Sequence, residues 1–453
     1  MSRSSSKRGM SCAWIPERES IRNGSTSRCE RVNPAKGKGP KRAIVLSGGG
    51  ARGAYEAGVL RFILDELPRR RKIDPHFDII CGTSVGAIHA AFVAATASER
   101  GEHGPRLVEI WEGLHADEIF KFSARDLLSL PASFFNLRRV ARQLREGRRP
   151  DRLFGLLDTA PLEKLVMESI PWPGIRENIA SGRVEALCVA ATQLATSRAI
   201  VFCEKNERTH PSGWLADDSI RVQRTRIQPV HALASAAIPL LFPSVRVGSR
   251  YYADGGLRLN TPLAPAVRLG ADRILVIGLN HVREGQTPEY LAQQRTAGFG
   301  NPLFLFGKVL NALMLSPVDA DLARVRLINH IIEHGTSAFG SDFLERLNET
   351  SVHAGGRNLK YIQDMVIRPS EDLGLMAGRL LAEDRDQFRL NAFLKLFIKA
   401  SDEHAVDKEA DLLSYLLFDT AFTTPLADLG YADAAAREDE LTEFFSDPGA
   451  TPL

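Results

Sequence analysis

Phe77-Asp78-Ile79-Ile80-Cys81-Gly82-Thr83-Ser84-Val85-Gly86 carries a short apolar run into a serine bracketed by glycines, and an alanine-rich segment follows to about Ala95. The run reads as a strand, the bracketed serine as a sharp turn and the alanine-rich stretch as a buried helix. The same order stands upstream. Ala43-Ile44-Val45-Leu46 is ended by Ser47-Gly48-Gly49-Gly50, and apolar residues then recur at Leu60, Ile63, Leu64 and Leu67 before Pro68. Strand, tight turn and helix thus occur twice, which implies a parallel sheet covered on both faces, with sites at the carboxyl ends of its strands.

Further along, Val184 to Ala191 and Arg198 to Glu204 read as strands about a turn near Ala195, which sets Cys188 roughly opposite Cys203. A disulfide is one reading of that pair; two small buried thiols is the other, and the composition favours it. Tyr251-Tyr252-Ala253-Asp254-Gly255-Gly256 ends another extended segment, and Arg273 to Leu279 is a further apolar strand. From about residue 300 the pattern is helical, with no later run that reads strongly as a strand. Gly285, Gln286, Thr287 and Pro288, then Gly298, Gly300 and Pro302, mark a boundary. The organisation expected is a disordered basic leader over 1–40, a catalytic domain over 41–285 and a helical C-terminal region over 300–445.

The 453 residues, 44% hydrophobic and 25% charged, have the balance of a soluble globular chain with room for two or three folding units. Five cysteines without CxxC or Cys/His zinc spacing exclude a disulfide scaffold and argue for reduced thiols in the cytoplasm. The net charge of +3 hides an asymmetry: residues 1–42 hold eleven Lys and Arg against three Glu, a local +8, so the rest carries −5. That leader has too few large hydrophobes to offset its chain entropy and lacks the apolar core of a secretory signal. Ile79–Ser98 is uncharged but interrupted by Gly82, Thr83, Ser84 and Gly86, and Ile227–Val245 is broken by three prolines, so neither reads as a membrane span.

Three motifs carry chemistry. Gly82-Thr83-Ser84-Val85-Gly86 fits the G-x-S-x-G nucleophile elbow, where glycines leave room for a serine forced into a sharp strand-to-helix turn. Gly48-Gly49-Gly50-Ala51-Arg52-Gly53 has two readings. As a dinucleotide fingerprint it needs an acidic residue at the end of the second strand, where Cys81 and Gly82 stand instead; as an anion-binding turn at a helix start it offers N–H donors to a developing oxyanion. Asp254-Gly255-Gly256 supplies a carboxylate followed by uncluttered backbone. A histidine mechanism stays open, with His281 placed just after the strand ending at Leu279, as in a Ser-Asp-His triad. His89, inside the helix that follows Ser84, reads as a packed residue.

In that order and spacing the three motifs, with Ala234-Ser235-Ala236-Ala237-Ile238-Pro239, Phe242-Pro243 and Asn260-Thr261-Pro262, resemble the patatin-like phospholipase family over about residues 41–283. Phe304 to Met314, Asp321 to Arg326, Val366 to Ser370 and Ser414 to Phe418 resemble segments that larger bacterial members carry after the catalytic domain. The resemblance implies a three-layer α/β/α fold with a mainly parallel sheet and a mostly helical C-terminal region. It implies a serine acyl hydrolase acting on phospholipid or acylglycerol esters through a Ser84–Asp254 dyad. Gly48, Gly49, Gly50, Ala51, Arg52 and Gly53 would form the oxyanion hole, with Arg52 supporting negative charge nearby, and Gly82 and Gly86 would shape the elbow. No metal, nucleotide cofactor or nucleic-acid partner is expected. The competing class is a non-catalytic lipid-binding scaffold of the same fold.

Membrane contact, expected to be transient, has three candidate carriers. These are the basic leader, an arginine face (Arg138, Arg142, Arg145, Arg149, Arg152) preceded by Phe134 and Phe135, and the apolar run Leu303–Leu315. A solvated face with a packed stripe, and a helix buried against the core, are the plainer readings of the last two.

Overall fold

Five-residue strands at Arg42–Leu46 (β1) and Ile79–Thr83 (β2) are buried along their whole length, as sheet strands covered on both faces must be. The computed structural model describes residues 39–99, 101, 103–121, 150–153, 155–207, 220–281, 318–353, 358–391, 394, 395, 398 and 411–446. The basic leader up to Lys38, the arginines 138–149, the boundary at 285–300 and the run Leu303–Leu315 lie outside them; Arg152 is described and pairs with Glu163.

Strands Ala186–Gln193 (β3), Arg198–Lys205 (β4), Ile220–Arg224 (β5), Val245–Val247 (β6), Arg250–Asp254 (β7), Arg273–Ile277 (β8) and Gln363–Ile367 (β9) complete the described sheet. The order is β5-β4-β3-β2-β1-β8-β9, with β7 pairing antiparallel to β3 and to β6. Within the main run only β3–β4 is antiparallel. That pair sets Cys188 opposite Cys203, and both are free buried thiols.

Period-two alternation splits the core. Ile44, Leu46, Ile80 and Val189 join one apolar cluster, while Ala43, Val45, Ile79 and Cys188 join the other. Each large apolar side chain so buried stabilises the fold by roughly 1.5–3 kcal/mol. The first face is covered by helices Gly53–Arg61 (α1), Val85–Thr96 (α2), His103–Gly113 (α3), Ala160–Ser169 (α4) and Pro229–Ser235 (α5). The second is covered by Leu263–Arg268 (α6) and Val318–Phe339 (α7), which makes three α/β/α layers.

The C-terminal region is mostly helical, as expected, with one departure. β9 pairs parallel with β8 although no strand was expected there. An edge strand needs only part of an apolar run, and Gln363, Asp364 and Val366 are only half-buried. Helices Asp411–Leu416 (α8), Thr420–Ala435 (α9) and Glu438–Phe445 (α10) lie on the first face. Tyr55 of α1 donates to Asp433 of α9 at 2.9 Å. Arg42 and Arg273 hold the carbonyls of Phe445 and Phe444 that end α10, a cationic cap on a helix C-terminus. No described helix is long and apolar enough to cross a membrane.

Candidate active site

Ser84 stands between β2 and α2 at φ 55° and ψ −126°, a conformation that costs a non-glycine residue about 1–3 kcal/mol. Surrounding bonds hold it there: its N–H donates to Ser235 Oγ at 2.8 Å, and Ala87 N–H returns to its carbonyl at 2.9 Å. A Cβ on Gly82 would run into the Gly86 carbonyl, and one on Gly86 into the Leu46 carbonyl, so the turn has no space for side chains on either flank.

Asp254 ends β7 with no exposure to solvent. Its Oδ2 accepts the Ser84 hydroxyl at 2.6 Å and its Oδ1 accepts Gly256 N–H at 2.7 Å. Burial raises the carboxyl to a pKa of about 7, against the opposing pull of those two hydrogen bonds. The same short segment holds both residues. Ser235 Oγ accepts from Ser84 and donates to Ala190 O at 2.5 Å, while Asp254 N–H donates to Ala237 O at 2.8 Å.

The glycine turn lies beside them. Gly48 exchanges hydrogen bonds with Asn260, its N–H to the backbone carbonyl and its own carbonyl to Nδ2, each at 3.2 Å. Arg52 N–H closes onto Gly49 O in the 3₁₀ turn Gly50–Arg52 that leads into Gly53 and α1, so the N–H groups of Gly49, Gly50 and Ala51 precede the first helical bonds. Gly50 needs its glycine twice over, because φ is 57° and a Cβ would strike the Tyr415 carbonyl.

Over residues 44–267 the chain matches the family model described as Patatin-like phospholipase. The chain carries a patatin-like phospholipase domain. A relative named cGAMP-activated phospholipase from Pseudomonas aeruginosa is 30% identical over 220 residues, covering 48% of this chain and 53% of its own. One of the same name from Escherichia coli is 25% identical over 228 residues, covering 49% and 53%. The aligned stretch spans about half the length of these curated relatives. A solved structure of VipD from Legionella pneumophila is similar at a TM-score of 0.30 and 13% identity, covering 84% of this chain and 67% of that one.

In the patatin-like domain Ser84 and Gly50 line an apolar pocket. Three helices each contribute one stripe at helical spacing: Val85, Ile88, His89 and Phe92 from α2; Leu107, Ile110 and Trp111 from α3, continued by Leu114; Leu162, Leu165, Val166 and Ser169 from α4. Phe242 and Phe418 complete the wall, and Phe418 stacks on Trp111 with ring centroids 6.1 Å apart.

Arg52 and His281 lie among the described residues. Arg52, expected to support negative charge beside the site, donates through Nε to Ser414 Oγ at 2.8 Å, and its guanidinium lies 4.3 Å over the Tyr415 ring. Its side chain is long enough to leave the turn and secure it to α8. His281 bonds through Nδ1 to Pro369 O at 2.9 Å, and the Ser84 hydroxyl reaches Asp254 with no imidazole between them. Sequence reasoning passed over Glu56 and Trp111, and took His89 only as packing. The i, i+3, i+4, i+7 stripe of Leu107, Ile110, Trp111 and Leu114 was a legible apolar face, but nothing in it says that it borders a pocket rather than filling a core.

Proposed function

We propose that this protein is a lipid acyl hydrolase that cleaves carboxylic esters of phospholipids or acylglycerols, with Ser84 as nucleophile and Asp254 as its base. The observation that carries the reading is the 2.6 Å bond from Ser84 Oγ to Asp254 Oδ2 beside an apolar pocket whose lining suits an acyl chain. An aspartate near its ordinary pKa of about 4 is a feeble base for a hydroxyl. A carboxyl raised to about 7 is better matched, because it is substantially ionised at neutral pH yet holds a proton more tightly.

In this reading Ser84 Oγ attacks the ester carbonyl carbon as its proton passes to Asp254. The carbonyl oxygen becomes an oxyanion received by N–H groups of Gly49, Gly50 and Ala51, at the positive end of the turn into α1. The bond to the alcohol then breaks, Asp254 returning the proton to the leaving oxygen, and water releases the acyl group from Ser84 by the same steps. Substrate is met at a lipid surface in transient contact, and the reaction needs no metal or nucleotide.

Purified protein should hydrolyse a medium-chain p-nitrophenyl ester and phosphatidylcholine, and a fluorophosphonate probe should label it. Ser84→Ala should fold, resist labelling and lose hydrolysis by at least about a thousandfold, or roughly 4 kcal/mol. Turnover by that variant near the wild-type rate would remove Ser84 from the chemistry. A wild type that binds lipid but neither turns over nor labels would favour the scaffold.

A further inference from the structure

Glu56 is a carboxylate without solvent, reaching back from the first turn of α1 toward the glycine turn. Its Oε1 accepts Ser47 N–H at 2.8 Å, immediately before Gly48, and its Oε2 faces His89 Nδ1 at 2.9 Å. His89 Nε2 receives the indole N–H of Trp111 at 2.9 Å. Both His89 and Trp111 border the pocket. A continuous chain of hydrogen bonds therefore runs from the pocket wall to the residue that enters the glycine turn.

We propose that Glu56, through His89 and Trp111, is a positioning residue that sets the glycine turn in its working geometry and ties it to occupancy of the acyl pocket. The assignment rests on the hydrolase reading above. Its logic is one of donors and acceptors. Burial lowers His89 to a pKa of about 3, so the ring is neutral and carries one proton. Trp111 has only a donor to offer, so Nε2 is the acceptor and the proton sits on Nδ1, donating to Glu56. Burial pushes the Glu56 carboxyl well above its ordinary range, opposed by the Ser47 N–H bond, but an N–H faces each of its oxygens, so both act as acceptors, one for Ser47 and one for His89. An acyl chain in the pocket presses on Trp111 and His89, and this chain carries the constraint to Ser47 and the N–H groups beyond it.

The test exploits the fixed direction of each bond. Glu56→Gln keeps the shape but turns one oxygen into an N–H donor, which must meet either Ser47 N–H or His89 Nδ1–H. Trp111→Phe removes the indole donor, freeing His89 to carry its proton on Nε2 and accept from the glutamine. Glu56→Gln alone should lower kcat on a decanoyl ester at least about tenfold with KM within about threefold, in a variant that denaturant unfolding shows to be cooperatively folded. It should also erase the rate advantage of decanoyl over acetyl ester. Adding Trp111→Phe should restore kcat to within about threefold of Trp111→Phe alone. Nitrogen-15 NMR of the histidines should report the Nδ1–H tautomer for His89 in the wild type and Nε2–H in the double variant. An unchanged kcat in Glu56→Gln, a double variant no faster than Glu56→Gln, or an Nε2–H tautomer in the wild type would each overturn the proposal. An inactive wild type sinks the hydrolase reading and this assignment with it; an active wild type indifferent to Glu56→Gln sinks this assignment alone.

Discussion

Arg52, in the glycine turn, lies 4.3 Å over the ring of Tyr415, which is far along the chain in α8. Ser414 accepts from the same guanidinium, and the Tyr415 carbonyl leaves no room for a side chain at Gly50. The turn proposed to receive the oxyanion is thus held from behind by the C-terminal region. Ser414→Ala removes an acceptor from a buried charged donor, at a cost of about 1–3 kcal/mol. The expected result is a lowered unfolding midpoint and a several-fold loss of kcat with KM little changed, read by denaturant unfolding and ester kinetics.

A base with a pKa of about 7 leaves a signature in the pH profile. Asp254 must be ionised to take the Ser84 proton, so kcat/KM should be flat above pH 7 and fall about tenfold per pH unit below it. Asp254→Asn should lose at least about a thousandfold at every pH, whereas His281→Ala should lose less than about tenfold. A collapse of activity in the histidine variant would point to a triad.

The backbone at Ser84 is strained, with φ at 55°. Glycine adopts that conformation without penalty, whereas alanine keeps the Cβ that causes it. Ser84→Gly should therefore be more stable than Ser84→Ala by about 1 kcal/mol, even after the entropy cost of glycine in the unfolded chain. Equal midpoints in urea would remove the strain argument.

Phe92 lies eight residues beyond Ser84, about 12 Å along α2 at the helical rise, and Ile88 lies one turn beyond Ser84. Ile88→Trp should fill the pocket within a turn of Ser84 and cut kcat/KM for a decanoyl ester at least about tenfold more than for an acetyl ester. A chain-length series on both proteins measures this, and parallel losses across the series would dissociate the pocket from acyl binding.

Residues 1–42 carry a local +8, an attraction that salt screens within about 8 Å at physiological ionic strength. Deleting residues 1–38 should spare hydrolysis of a soluble ester and weaken co-sedimentation with anionic vesicles at low salt. Unchanged sedimentation would refute electrostatic docking by this segment.

The alternation of apolar strands and helices, the glycines around Ser84 and the three motifs were legible in the sequence because each is a local constraint. A buried parallel strand must be apolar, and an elbow must be flanked by residues without side chains. Local pattern could not pair Asp254 with Ser84 by itself, since 170 residues separate them; the motif order implied it through resemblance. What only the tertiary structure decided follows from side chains meeting across the fold. β9 is too polar to announce itself, and becomes a strand because β8 offers an unpaired edge. Arg52 is a charge stabiliser by position in the motif, and only the fold brings Ser414 and Tyr415 against its guanidinium. The path from Ser47 through Glu56 and His89 to Trp111 joins a loop and three helices by single hydrogen bonds. No spacing in the chain encodes it, because it exists only where buried polar groups must find partners in three dimensions.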